Sequence, residues 1–249
     1  MIKFFRKIRQ KLLSENKFSK YLIYAIGEIV LVVIGILIAL QINNWNEENK
    51  KKALMITNIK SIAEDILADI YDIQEVNMSL DKQVVAANYV IPILESENRF
   101  IADSLKFIMA FNSFTTTPII SESSNTWNFL NSSGTVSEFP DSKLLKLLQD
   151  YYKNFNDITT NFTNSGNPVR LELRKLKYEL FSDTEHRKFF PTKSPKAPSF
   201  EVYNSIFEDN RILPLCRFIG STAYYFEGEF TSVKSEAEII LDYINKKYK

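Results

Sequence analysis

Apolar and polar positions along this chain fall into three regimes. Residues 21–42, YLIYAIGEIVLVVIGILIALQI, are apolar on every side except at Glu28 and Gln41. A helix of about 22 residues, rising 1.5 Å per residue, crosses a hydrocarbon core of about 30 Å, so this stretch predicts a membrane span. Beyond it the pattern becomes one-sided. Stepping alternately by three and four from Ile56 gives Ile59, Ala63, Ile66, Ile70, Ile73, Asn77, Leu80, Val84, Ala87, Ile91 and Leu94, apolar at every step but one. From Ile212 the same stepping gives Cys216, Ile219, Ala223, Phe226, Phe230, Val233, Ala237, Ile240 and Ile244, with no polar member. A 3.5-residue repeat sustained this long predicts long helices lying along others at a shallow angle. The first is expected to run on from the span. The last ends in Lys246, Lys247 and Lys249, which suit the negative end of a helix dipole.

The third regime, between these helices, is shorter-ranged. Asp141 or Ser142 is expected to cap a helix with the stripe Leu145, Leu148, Tyr152, Phe155, Thr159 and Phe162, stopping at Asn164-Ser165-Gly166. Asn167-Pro168 predicts a restart, Asn as N-cap and Pro at the first helical position, with Val169, Leu173, Leu176 and Leu180 on one face. Shorter helices are expected around 103–111 and 122–131, the second ending near Gly134. Residues 182–200, with Pro191, Pro195 and Pro198, read as an exposed, flexible loop. The expected fold class is all-α. A basic cytoplasmic tail (1–20) precedes a single N-terminal transmembrane helix (21–42). An extracytoplasmic bundle of long antiparallel helices (43–249) follows.

Charge sets the direction. Lys3, Arg6, Lys7, Arg9, Lys11, Lys17 and Lys20 face only Glu15 before the span, which predicts a cytoplasmic N-terminus and a bulk on the far side. Tyr21 and Tyr24 on one side and Trp45 on the other suit the two interfaces. The apolar run is longer than a usual signal-peptide core, and a small-x-small cleavage pattern is missing after it, so an uncleaved anchor is expected. The formal net charge is only +1, with the positive excess in the tail beside anionic headgroups. That argues for lipid as a partner and against nucleic acid.

Little chemistry is legible. Cys216 is the single cysteine, which allows no intramolecular disulfide and reads as a small core residue. Six glycines without a Gly-rich segment argue against a phosphate-cradling loop. His186 is the single histidine, so a Ser-His-Asp or Cys-His arrangement would have to use it and a zinc site would lack its commonest ligand; it is expected to be a solvated loop residue. Glu64, Asp65, Asp69, Asp72 and Glu75 are expected mainly opposite the seam, in water. Tyr151-Tyr152 and Tyr224-Tyr225-Phe226 are expected to pack a core. No catalytic, metal-ligating or cofactor-binding residue is assigned, no cofactor is expected, and the chain is not expected to be an enzyme.

Glu28 stands apart, about seven residues inside the apolar run and about 10 Å deep by helix rise. A carboxylate there is costly and usually meets a polar partner or a helix interface. It shares a face with Leu31, Val32, Gly35 and Ala39, and Gly35-x-x-x-Ala39 allows close helix approach. One reading is packing of the span against a second copy or another membrane protein. The other is a Glu28 that snorkels to the headgroups beside incidental small residues.

The opening MIKFFRKIRQKLLSENKFSKYLIYAIGEIVLVVIGILIALQINNWNE resembles the signature of a family of uncharacterised single-pass envelope proteins from Bacteroidetes-type bacteria. Residues 127–134, WNFLNSSG, before a Leu-rich, Tyr-Tyr-containing helix resemble it more loosely. The resemblance implies an inner-membrane location and a periplasmic helical domain, and brings no activity with it. Three roles are compatible. The first and expected one is an anchored interaction or scaffold module of the envelope. The others are a ligand-sensing bundle that signals through a membrane partner, and a proton-coupled energy-transducing subunit using Glu28.

Overall fold

A computed structural model describes residues 18–248. The readings placed on residues 1–17 of the basic tail and on the Tyr21 ring lie outside the described residues. All regular structure among the described residues is helical. The helices are α1 (Phe18–Glu95), α2 (Ser104–Ser113), α3 (Asn125–Ser132), α4 (Ser142–Asn161), α5 (Asn167–Leu180), the single turn α6 (Asp183–His186), α7 (Phe200–Glu208) and α8 (Ile212–Lys247). A 3₁₀ turn, Thr135–Glu138, follows α3, and a π-helical turn, Phe162–Gly166, joins α4 to α5. The chain divides into two units, one ending at Thr57 and the other beginning at Asn58.

In the first unit α1 is long and apolar enough to cross a membrane. Its most apolar 18-residue window has a mean hydropathy of 2.7 and no buried residue. No protein surface covers these side chains, as expected for a helix whose solvent is not water.

The second unit has its own core. On α8 every member of the predicted stripe, from Ile212 through Cys216, Phe226 and Phe230 to Ile244, is buried. On α1 the buried face is wider than the predicted seam. Ile59, Ile66, Ile73 and Leu80 are buried, and so are Ile62, Val76, Ala86 and Val90 on the adjoining row. The cause is that this part of α1 has neighbours on several sides: Thr231 of α8, Tyr151 of α4 and Arg170 of α5 each hydrogen bond to it. Pairs along the helices fix their directions. Arg217 meets Glu95 while Asn77 meets Thr231, so α8 runs opposite to α1. Tyr243 meets Asp141 while Asn154 meets Glu236, so α8 also runs opposite to α4.

Several expectations change here. Tyr224 and Tyr225, expected to pack a core, are 72% and 51% exposed, because they lie off the buried stripe of α8 that Phe226 belongs to. The chain does not stop at Asn164-Ser165-Gly166; helical backbone continues through the π turn, with Gly166 and Asn167 both right-handed and no side-chain N-cap at Asn167. Gly166 is needed because a Cβ there would lie 3.0 Å from Phe162 and 3.2 Å from both Arg170 and Phe226. The 182–200 segment is also only partly exposed. His186 and Phe189 are buried, the imidazole against the rings of Tyr178, Phe189 and Phe190.

α1 and α8 approach closely at Ala87 and Gly220, where a Cβ on Gly220 would sit 2.6 Å from the Ala87 methyl. Gly220→Ala is therefore expected to cost about 1–3 kcal/mol by forcing the two helices apart. Urea denaturation of the full chain in detergent measures it, and adding Ala87→Gly restores most of the loss.

Candidate functional site

The residues singled out in the apolar segment lie on an uncovered surface. Leu31, Val32, Gly35 and Ala39 are exposed, Glu28 is half-buried, and a Cβ added to Gly35 meets nothing within 4 Å. Ala25, Glu28, Ile29, Val32 and Val33 line one shallow groove. Tyr24 and Trp45 are exposed. Leu31, Val32, Gly35 and Ala39 thus present an uncovered apolar surface to whatever surrounds this unit.

The second unit holds a polar network that sequence reasoning missed. Asp69, expected in water, is fully buried. Its carboxylate accepts from the Tyr151 hydroxyl at 2.7 Å and from the Ser123 backbone N–H. One turn earlier Asp65 accepts from Thr126 N–H at 3.2 Å. Two carboxylates of α1 thus serve the start of α3, whose own N-cap residue Ser124 makes no side-chain cap. Burial pushes the Asp69 carboxyl up to about 6 despite the hydrogen bonds from Ser123 and Tyr151, and nearby Glu122 adds to the rise. Burial raises Glu122 as well. Burial and the Asp69 charge together hold Tyr151 and Tyr152 protonated. Trp127 stacks on Tyr152 with ring centroids 5.3 Å apart.

A second group is cationic. Arg170, Arg174 and Lys177 repeat at four and three residues along α5 and face the connection between α2 and α3. Arg170 is fully buried; its Nε donates to Gln83 Oε1 at 2.9 Å and its Nη1 to the Gly166 carbonyl at 2.8 Å. Gln83 in turn donates to the carbonyls of Ser113 and Thr116. Arg174 donates to the Thr115 carbonyl, and Lys177 to Asn112 Oδ1 and Thr115 Oγ1. Burial, then the Arg174 charge, lowers the Lys177 ammonium to about 8. Burial lowers Arg170 to about 10, so it stays charged at neutral pH. The buried His186 imidazole is pushed down by burial and by Lys177.

The third group closes the ends of α4 and α8. Asp141 caps α4 through the N–H groups of Lys143 and Leu144, and also accepts from the Tyr243 hydroxyl, Lys247 Nζ and the Tyr248 hydroxyl. Burial pushes its carboxyl up, but the Lys247 ammonium, the Leu144 N–H and the two phenols outweigh that and hold it far below the usual carboxylate range. Cys216 is a buried thiol pushed up by burial, as a core residue would be.

Chemically, these groups orient backbone and neutralise charge. Among the described residues no three or more His, Cys, Asp and Glu side chains are grouped to hold a metal ion. A faint sequence signal did exist: Asp69 and Gln83 each sit three residues beyond a buried seam member, Ile66 and Leu80, and Arg170 and Lys177 are a heptad apart. Residues 28–159 match the model of DUF6090, a family of unknown function. This is just over half of the chain, and the chain belongs to that family. The matched stretch includes Asp69, Ser123, Trp127 and Tyr151 and stops short of α5 and α8. No curated protein and no solved structure matches the chain.

The folded state keeps the Asp69 proton that an unfolded chain releases near pH 4, so its ionisation opposes folding. Stability is expected to fall as pH rises from about 4 to about 6, by up to about 3 kcal/mol from this group. Urea denaturation at pH 4.5 and pH 7 reads it, and Asp69→Asn should flatten the difference. Asp141 has the opposite sign: its depressed carboxyl stabilises the fold at neutral pH, and that contribution is lost on acidification below about pH 4. Asp141→Asn is expected to cost about 2–3 kcal/mol at pH 7, and the difference from the parent to narrow progressively as the pH falls from about 4 toward 2.

Proposed function

We propose that this chain is a membrane-anchored interaction module of the bacterial cell envelope. The apolar part of α1 spans the inner membrane once, the N-terminus is cytoplasmic, and the unit beginning at Asn58 is a helical bundle presented in the periplasm. The observation that carries this reading is the wholly unburied, apolar segment of α1, beside a second unit that buries a core of its own. Exposed to water, that segment would forfeit about 25 cal/mol for every Å² of apolar surface; in lipid it does not. Glu28, Leu31, Val32, Gly35 and Ala39 are the face offered to another membrane helix, with Tyr24 and Trp45 at the two interfaces. The polar clusters described above are spent on holding the fold, which supports a binding role over a catalytic one.

One observation favours a second reading, ligand sensing. An open groove of about 570 Å³ runs between α1 and α8, with Ala87, Ile91 and Gly220 as apolar lining and Asn88, Arg217 and Ser221 as polar groups. Its size falls within the range of small-molecule sites. A sensor would be stabilised by its ligand, by about 2.7 kcal/mol at a hundredfold excess over Kd.

Alkaline carbonate extraction of native membranes tests the anchor. The full chain is expected to stay in the membrane fraction, and a variant with both Ile34→Arg and Leu37→Arg to shift toward the soluble one, since each charge at mid-span costs about 2.5–3.5 kcal/mol. With the outer membrane permeabilised, an impermeant maleimide should label Lys146→Cys and not Ser19→Cys. Release of the parent chain by carbonate, or the reverse labelling pattern, would sink the proposal.

A further inference from the structure

The second unit carries an apolar line on α1 that its core does not use. Leu67, Tyr71, Met78 and Val85 are 56%, 62%, 50% and 60% exposed. They are spaced by four, seven and seven residues, so at 100° per residue they fall within an arc of about 40°, in a line about 27 Å long. Single exposed apolar residues need no explanation, but a heptad row on one narrow face is the pattern of a helix seam. Beside its C-terminal end lies a groove of about 450 Å³ between α1 and α2, floored by Ala86 and Ala110 and walled by Val85, Tyr89 and Met109. Lys82 and Lys106 stand at its rim, the Lys106 ammonium 4.5 Å from the centre of the Tyr89 ring.

We propose that this face pairs two copies of the chain, α1 along α1, parallel and in register about a two-fold axis. The parallel direction rests on the anchor proposed above, because copies held in one membrane with one topology present the line the same way. Two-fold symmetry then sets each member of the line against its own counterpart, apolar against apolar. It also sets each residue on one side of the line against the residue on the other side in the second copy. Asp81 and Lys82 lie about 50° to either side on the helical wheel, so each Asp81 meets a Lys82 across the axis, twice. By the same geometry Glu75 meets Gln74, so between Leu67 and Val85 no like charges are opposed; Lys60, one heptad before Leu67, meets its own counterpart beyond the end of the line. An antiparallel pair centred on the same line would set Asp81 and Lys82 against Tyr71 and Ile70 and lose the charge match. Charge complementarity therefore selects the second copy and its direction, and methionine at the seam suits a surface that must pack against itself. The seam is short, but confinement to one membrane raises the effective concentration of the second copy.

Cysteine crosslinking of the full chain in native membranes is the test. Cys216 is fully buried, so the parent chain gives the background. Under mild oxidation Leu67→Cys, Met78→Cys and Val85→Cys are each expected to form a disulfide-linked dimer, at least fivefold above Lys146→Cys on exposed α4. Adding Asp81→Lys should lower the Met78→Cys dimer several-fold, and adding Lys82→Asp to that variant should restore it. These residues are on the surface, so unchanged melting temperatures separate lost pairing from lost folding. Crosslinking no greater than at Lys146→Cys overturns the proposal. So does a Leu67→Cys chain that links preferentially to a Val85→Cys chain, or a Met78→Cys adduct with a different protein. Carbonate extraction of the same membranes reports on the anchor separately. A chain that crosslinks at Met78→Cys yet washes off keeps the interface and loses the anchor.

Discussion

Backbone amides and carbonyls removed from water must find partners, and in residues 114–124, between α2 and α3, helix α2 supplies them only for the N–H groups of Phe114, Thr115 and Thr116. Side chains from other elements do so for others. Gln83 of α1 takes the carbonyls of Ser113 and Thr116, Arg174 of α5 takes that of Thr115, Asn167 takes that of Pro118, and Asp69 of α1 takes the N–H of Ser123. This non-regular strip is thereby tied to α1 on one side and to α5 on the other. The placements of α2 and α3 follow from it, since each is joined to the strip at one end.

The same requirement explains the charge pattern inside the second unit. Arg170 and Arg174 are directed at the Gly166 and Thr115 carbonyls, and Arg170 and Lys177 at the side-chain oxygens of Gln83, Asn112 and Thr115, so each cation meets neutral dipoles. Isolated buried charge is costly, and multiple good hydrogen bonds make it tolerable. Asp141 is the acidic counterpart, with two backbone N–H groups, an ammonium and two phenols around one carboxylate. Exposed pairs such as Lys146–Asp150 and Lys153–Asp157 contribute little beside these, because water screens both partners.

Apolar surface left without a protein partner occurs in both units, for different reasons. In the first it covers every side of the helix, a pattern compatible with a membrane anchor. In the second it includes a line on a helix whose opposite face is core, besides exposed side chains such as Ile119, Phe200 and Tyr224. The DUF6090 match begins inside the apolar segment and ends within α4, so membership in the family joins an apolar segment to the Asp69–Tyr151 contact. It leaves α8, which fills much of the core, to the part of the chain beyond the match.

By itself the sequence determined the long helices and the buried stripe of α8. The ten-residue line on α8 was legible because a 3.5-residue period over some thirty residues has no other stable use. Asp141 was legible as an N-cap candidate, with Ser142 the alternative, because a side chain that bonds the next turn needs nothing from elsewhere. The apolar segment was legible because its length and composition are properties of one helix alone. Only the tertiary structure decided the rest. Asp69, Gln83, Arg170, Lys177 and His186 look like solvated residues when read locally, and become interior ones through partners up to 87 positions away. The break expected at Asn164-Ser165-Gly166 became a π turn because Phe162, Arg170 and Phe226 close around Gly166. Apolar periodicity is written along a helix, whereas the hydrogen bonds that let a polar side chain enter a core come from segments that meet only once the chain has folded.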